Sequence, residues 1–129
     1  MTMKKNEYVL YGLTKYKEII DKIIKDLKVF DDSFDIRLLL TEALTNAFKH
    51  GNNGNIDMAI NLRYTCDDIK IIFEIEDSGT GFRSVTIPDE VIDETILNES
   101  GRGLFLIKCI ADKIELRNNI LIIEKYLTV

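Results

Sequence analysis

The sequence predicts an α+β fold, a two-layer α/β sandwich in which helices cover one face of a mixed, mostly antiparallel sheet. Two observations predict it. Apolar residues recur at helical spacing in the first third of the chain, and in its middle they alternate with polar residues, as in strands. The resulting order is strand, two helices, two strands, loop, helix and two strands, which favours helices on one face of the sheet rather than on both.

The first half of the chain is predicted to contain a strand and two helices. The strand covers residues 7–12, which are aromatic and β-branched and end at Gly12. A helix with one buried apolar stripe follows from Tyr16 to Leu27, with Thr14 as its candidate N-cap. That stripe could serve a core or a dimer interface, and we expect a core for most of it. The second helix is expected from about Asp35 to Lys49, where a glycine and asparagine cluster ends it.

The second half is predicted to contain two hairpins and one more helix. Alternation predicts strands at residues 56–65 and 69–76. Residues 114–117 and 120–127 flank a two-asparagine turn and are expected to form a final hairpin. Residues 78–100 lack a clear period and are expected to form a long loop. A mostly apolar helix is expected from Gly103 to about Asp112.

Composition narrows the class of protein. A chain of 129 residues with 46% apolar content predicts one domain over residues 1–129. The net charge of −5 and pI near 4.9 argue against direct nucleic-acid binding, because phosphate contacts need clustered lysine and arginine. No apolar run approaches the ~20 residues of a membrane span, so we expect no membrane partner and a cytoplasmic location. Cys66 and Cys109 have no metal-ligand spacing and are expected to be a reduced, structural pair.

The second predicted helix carries the first polar motif. Glu42 and Asn46 are four residues apart, so their side chains lie one above the other and can address one ligand. With Thr45 and Lys49 they are expected opposite the apolar stripe of this helix. A solvated face would look the same, but the helix end at His50 and Gly51 and a second motif downstream favour a binding site.

Two glycine-containing motifs follow. Asp77 stands at the end of a predicted strand, where its carboxylate can accept from an exocyclic amine, and Gly79 and Gly81 allow close backbone approach to a ligand. Later, residues 101–103 place an arginine between two glycines at the start of a predicted helix, where free amides and the helix dipole favour phosphate. Each motif alone also fits an ordinary turn.

Together and in this order the three motifs resemble the N, G1 and G2 boxes of the GHKL, or Bergerat-fold, ATPase superfamily, and most closely its anti-sigma-factor serine/threonine kinases. The resemblance implies ATP and Mg²⁺ as cofactors. It implies that Glu42 is the general base, that Asn46 binds Mg²⁺ and that Asp77 reads adenine. The remaining residues that it places at the nucleotide are Lys49, Gly79, Gly81, Gly101, Arg102, Gly103 and Leu104. Residues 82–100 would form a lid, and His50 would be structural rather than a phospho-acceptor.

The sequence departs from the family pattern in one place. Family members commonly carry a Gly-Thr pair at the last strand, where the hydroxyl approaches the nucleotide, whereas this chain has Asn118 and Asn119 followed by isoleucine. That difference leaves open a weaker or altered phosphate contact. Sensor histidine kinases usually carry asparagine in place of Glu42, which disfavours that branch.

The resemblance implies an ATP-dependent serine/threonine protein kinase that phosphorylates a small anti-sigma-antagonist (STAS-like) protein and sequesters a regulatory target such as a sigma factor. A homodimer is a further implication, because family members are often dimeric. The alternative is a nucleotide-gated protein-binding regulator without phosphoryl transfer. Glu42 favours the kinase, and the altered last hairpin keeps the alternative open.

Overall fold

The computed structural model describes residues 3–79 and 99–128 of the chain. A 3₁₀ turn (Phe30–Asp32) precedes the second helix, and a π-helical turn (Ala47–Gly51) follows it. The elements in chain order are β1 (Lys4–Tyr11), α1 (Tyr16–Leu27), α2 (Ser33–Asn46), β2 (Ala59–Cys66), β3 (Lys70–Glu76), α3 (Glu99–Ile110), β4 (Lys113–Arg117) and β5 (Ile120–Tyr126). Of the helices in these ranges, none is both long and apolar enough to cross a membrane.

The five strands form one sheet in the order β1-β2-β3-β5-β4. Each neighbouring pair in that order is antiparallel, so the described sheet is antiparallel throughout rather than mixed. The buried side chains of the central strands alternate with half-buried ones, as expected for a sheet with one covered face. The predicted α+β sandwich is confirmed, and the end of β3 meets the turn between β4 and β5 on one side of it.

The helix boundaries are predicted with unequal success. α1 has the predicted bounds, but Lys15 rather than Thr14 stands at its N-cap. α2 begins earlier than predicted, because the preceding acidic residues form the 3₁₀ turn and lead directly into it. α3 begins at Glu99, four residues before the predicted start, so the third glycine motif lies inside the helix rather than ahead of it. The predicted loop at 78–100 lies outside the described residues except at its two ends.

The apolar stripe of α1 belongs to the core. Ile23 is fully buried, and Ile20, Ile24 and Leu27 are buried with it. These side chains join α2, α3 and the inner face of the sheet in one cluster. The choice between a core and a dimer interface is therefore settled in favour of the core for the buried part of the stripe.

The outer face of the sheet is polar at its centre. Arg63 on β2 forms ion pairs with Glu76 at 2.9 Å, with Glu74 at 3.4 Å and with Glu7 at 3.5 Å. Lys70 on β3 pairs with Glu124 on β5 at 2.9 Å. These cross-strand pairs add to the ladder hydrogen bonds, while the fully buried apolar residues of the central strands alternate to the helical side.

One buried aspartate fastens the chain after β5 to the turn between α1 and α2. Asp32 is 6% exposed and accepts hydrogen bonds from the amide nitrogen of Thr128 at 2.9 Å and from its hydroxyl at 2.6 Å. Both carboxylate oxygens are thereby satisfied, as a buried charge requires.

We expect Asp32→Ala to lower the free energy of unfolding by about 1–3 kcal/mol, because it leaves two donors of Thr128 without their charged acceptor. Urea denaturation followed by circular dichroism measures the change. Asp31→Ala is the matched control, since Asp31 is an exposed aspartate in the same 3₁₀ turn, and its effect should stay within about 0.5 kcal/mol. Equal losses in the two variants would contradict the role of the Asp32 contacts.

Candidate functional site

Helices α2 and α3 meet at a glycine beneath the first motif. A Cβ atom on Gly103 of α3 would lie 2.5 Å from Nδ2 of Asn46 and 2.9 Å from Oε2 of Glu42. Real Cβ atoms essentially never approach other atoms so closely, so the absence of a side chain at Gly103 makes room for both polar groups. The structure therefore brings the acid and the amide of the first motif together with the glycine of the third.

Asn46 is more deeply buried than the sequence pattern predicts. The pattern places it on the solvated side of α2 with Glu42 and Lys49, yet it is only 3% exposed. The reason is that α3 packs over that side of α2, while the apolar stripe packs on the other. Glu42 is half-buried, and Lys49 is exposed in the π-helical turn.

The π-helical turn redirects the chain at the end of α2. The amide of Asn52 donates to the carbonyl of Ala47 at 2.8 Å, which is the five-residue spacing of a π-helix. The wider turn brings Gly51 against the end of β3, where a Cβ on Gly51 would overlap the carboxylate of Asp77. A Cβ on Gly79 would in turn overlap the carbonyl oxygen of Gly51. Single π-turns are frequent at functional sites, and here one packs against the second motif.

The carboxylate of Asp77 is buried with one acceptor oxygen to spare. Asp77 is 2% exposed, and its Oδ1 accepts a hydrogen bond from the amide of Gly79 at 3.0 Å. Its Oδ2 is buried and has no hydrogen-bond partner within residues 3–79 and 99–128. Burial raises the pKa of this carboxyl above its ordinary value, the Gly79 hydrogen bond opposes the rise, and the charge of Glu76 adds to it. An orphaned, inward-facing acceptor of this kind suits a ligand that donates a hydrogen bond, such as the amine of adenine.

Two asparagines that the motif analysis did not select hold the chain beside Asp77. Asn119, in the turn between β4 and β5, accepts from the amide of Asp77 at 3.1 Å and donates from its side chain to the carbonyl of Asp77 at 2.5 Å. Asn52, 1% exposed, accepts from the amide of Ser78 at 2.8 Å and donates to the carbonyls of Met58 and Ala59. The sequence contains one signal for each: Asn52 directly follows the first motif, and Asn119 stands where family members commonly carry a Gly-Thr pair.

The third motif occupies the first turns of α3. Arg102 is exposed, Gly103 is buried against the first motif, and Leu104 is fully buried in the core. Gly101 lies in the same helix, and its surroundings are outside what the structure describes. Gly81 and the predicted lid at 82–98 also lie outside the described residues, and the last two lid residues are helical. The charge of Arg102 is thus exposed one residue before Gly103 in the same helix.

Glu42 and Asn46 are two oxygen-bearing side chains that lie together at this site. No group of three or more histidine, cysteine, aspartate or glutamate side chains converges on a metal-sized point in the described part of the chain. Mg²⁺ commonly takes one or two oxygen ligands from protein and completes its shell with water and substrate phosphates. The amide of Asn46 beside the carboxylate of Glu42 fits that mode. His50 is half-buried nearby in the π-helical turn, and its Nε2 has no partner among the described residues.

Comparison with known proteins supports the same interpretation. Residues 18–124 match the family described as Histidine kinase-like ATPase domain. A relative named Serine-protein kinase RsbW, from Listeria monocytogenes serotype 4a, is 28% identical over 118 residues, which cover 87% of this chain and 73% of the relative. The protein of that name from Listeria innocua serovar 6a matches with the same identity and coverage. The one from Staphylococcus aureus (strain Newman) is 36% identical over 93 residues, 66% of this chain and 58% of the relative. The resemblance predicted from the three motifs is confirmed.

The raised pKa of the Asp77 carboxyl predicts how the stability of the protein depends on pH. Because the pKa of Asp77 is raised in the folded state, its ionised form costs folding free energy at a pH above that raised pKa, and the cost disappears as the pH falls through it. We therefore expect Asp77→Asn to raise the unfolding midpoint of the nucleotide-free protein at neutral pH, since Asn retains an acceptor for Gly79. The gain should shrink toward acid pH.

The same variant should bind ATP more weakly, because the amide replaces a charged acceptor. Thermal unfolding across a pH series and calorimetric titration with ATP measure the two effects. A variant that is less stable than the wild type at neutral pH, or that gains the same stability at every pH, would contradict an ionised, buried Asp77.

Proposed function

The chain belongs to the histidine kinase-like ATPase domain family, and we propose that it is an ATP-dependent serine/threonine protein kinase of the anti-sigma-factor type. Its substrate would be a small anti-sigma-antagonist (STAS-like) protein, and it would sequester a regulatory target such as a sigma factor. Relatives that carry the name serine-protein kinase support the activity. The partners are inferred from the family resemblance, as are a cytoplasmic location, a role in transcription regulation and a homodimer.

The observation that carries the proposal is the convergence of Glu42 and Asn46 over Gly103. A kinase of this type needs a base for the attacking hydroxyl beside a group that holds the phosphates. The carboxylate of Glu42 would accept the proton of a serine or threonine hydroxyl as that oxygen bonds to the γ-phosphorus of ATP and ADP departs. Half-burial of Glu42 limits competition from water, yet leaves one side reachable by a protein substrate.

The adenine and the phosphates would be held by separate parts of the site. Asp77 would accept the exocyclic amine of adenine with its unpartnered Oδ2. Gly79 and Gly81 would line the base, while Lys49, Gly101 and Gly103 would stand near the phosphates. Arg102 would add a charge-assisted contact there, and Leu104 would support the pocket from the core. Asn46 would be the ligand of Mg²⁺, whose charge neutralises that of the transferring phosphoryl group.

The alternative function is a nucleotide-gated protein-binding regulator that grips its partner without phosphorylating it. One observation favours it. Family members commonly carry a residue with a hydroxyl group at the last strand, where this chain has Asn119. The side chain of Asn119 donates to the carbonyl of Asp77 instead of approaching a nucleotide. Incubating the protein with labelled ATP and a STAS-like protein, then mapping phosphoserine and phosphothreonine, separates the two. Label on the partner supports the kinase, and ATP-dependent binding without label supports the regulator.

Glu42→Gln tests the catalytic assignment. The substitution keeps the size of the side chain and removes the base, so phosphoryl transfer should fall by about 10²- to 10⁴-fold while the affinity for ATP survives. Quantitative phosphorylation of the partner protein and calorimetric titration with Mg-ATP give the two numbers. Transfer at the wild-type rate would exclude Glu42 as the base and favour the nucleotide-gated regulator.

Two further variants separate the loss of the base from the loss of the metal ligand and from a general effect of removing an acid from α2. Asn46→Ala should reduce transfer and also weaken the Mg²⁺-dependent part of ATP binding, because it removes the metal ligand. Asp35→Asn is the control for removing an acid from the same helix, since Asp35 lies in the first turn of α2 and pairs with Lys125 at 3.6 Å. Asp35→Asn should leave both transfer and ATP affinity unchanged within about twofold, which is well inside the tenfold step of 1.4 kcal/mol.

A further inference from the structure

The peptide unit that joins Asp77 to Ser78 is held at both of its polar ends by asparagine side chains. Its carbonyl oxygen accepts a hydrogen bond from the side-chain amide of Asn119 at 2.5 Å. Its N–H, contributed by Ser78, donates to the side-chain oxygen of Asn52 at 2.8 Å. Asn52 is itself fixed by hydrogen bonds to two carbonyls before and at the start of β2. The plane of this one peptide is thereby fixed from two directions.

The orientation of that peptide sets the position of Gly79, whose amide donates to Oδ1 of Asp77 at 3.0 Å. β3 ends at Glu76, so the torsion angles that follow Asp77 are no longer fixed by ladder hydrogen bonds with β2. Rotating this peptide would move Gly79, which packs against the carbonyl oxygen of Gly51, and would take the Gly79 amide away from Oδ1 of the carboxylate. Within β3 the ladder hydrogen bonds fix the backbone, and just beyond its end the side-chain amides of Asn52 and Asn119 fix it instead.

Turn geometry does not account for Asn119. A two-residue hairpin turn favours residues that adopt positive φ, and Asn118 supplies one with φ of 57°. Asn119 does not share that conformation. Its backbone carbonyl and its side chain both bond to Asp77 instead, which makes it the residue that ties the β4–β5 turn to the second motif.

We propose that Asn119 is a positioning residue for adenine recognition, acting through the Asp77–Ser78 peptide together with Asn52. The proposal rests on the proposed role of Asp77 in binding the exocyclic amine. Asn119 does not contact the base in this account. Through this peptide it keeps the Gly79 amide on Oδ1, so that the carboxylate is anchored and Oδ2 is left for a donor. A neutral amide does so without adding a charge beside Asp77.

The experiment compares ATP with purine riboside 5′-triphosphate, which lacks the exocyclic amine. Asn119→Ala should weaken ATP binding by roughly 3- to 10-fold, the range of one neutral hydrogen bond, and change the affinity for the analogue by less than twofold. Asn118→Gly is the matched control, because glycine tolerates the positive φ while losing the neighbouring amide. It should leave both affinities unchanged. Calorimetric titration of the wild type, Asn119→Ala and Asn118→Gly with each of the two nucleotides gives the affinities to be compared.

A readout without nucleotide tests the same contact. Amide hydrogen exchange at Ser78 in the free protein should accelerate in Asn119→Ala and stay unchanged in Asn118→Gly, because the peptide loses one of its two anchors. Should Asn119→Ala fail to fold, Asn119→Asp keeps the size of the side chain and replaces the donor by an acceptor. It should show the same selective loss for ATP and the same faster exchange.

The outcomes separate this inference from the proposed function. A wild type that binds the two nucleotides equally overturns adenine recognition by Asp77, and the inference fails with it. A wild type that prefers ATP supports Asp77. In that case, an Asn119 variant that weakens both nucleotides equally, or neither, overturns the positioning role and leaves the proposed function standing.

Discussion

Burial of the Asp77 carboxylate is the constraint on which the site depends. The carboxylate is 2% exposed, and a Cβ on Gly51 would overlap it. A Cβ on Gly79 would overlap the carbonyl oxygen of Gly51 beside it. Gly51 reaches it because the end of α2 widens into a π-turn. The three segments fit only together, so the conformation of the helix end, the strand end and the last hairpin turn are coupled through one buried group.

The elements with strong periodicity are those that the sequence predicts well. α1 has one apolar stripe against a charged face, and its bounds agree with the prediction. β3 alternates cleanly, and both ends of β3 and of β5 agree with the prediction within one residue. In these segments burial on one side alone sets the pattern. α2 is harder, because the core covers one side and α3 covers part of the other. Its pattern marks the stripe correctly but assigns the buried Asn46 to solvent.

The features that the sequence does not predict arise from contacts between distant segments. The π-turn follows an ordinary helical sequence, and only its packing against the strand end distinguishes it from the predicted termination at Gly51. Asn52 and Asn119 are 67 positions apart and look like turn residues, yet they bond the same peptide. The motifs identified Glu42, Asn46, Asp77 and Gly103 because family resemblance selects residues by type and order. It does not select the groups that hold them in place.

The choice of amides around Asp77 has an electrostatic reason. A lysine or arginine beside the carboxylate would lower its pKa and also occupy Oδ2, leaving no acceptor for a ligand. Asparagine side chains bond the adjacent peptide instead of the carboxylate, so the backbone is held while the charge stays uncompensated. The raised pKa of Asp77 reflects the free energy that it costs to bury the charged carboxylate with Oδ2 left unpartnered. Under the proposed function, the amine of adenine would donate to Oδ2 and offset part of the desolvation cost of the buried carboxylate, and that gain would contribute to binding.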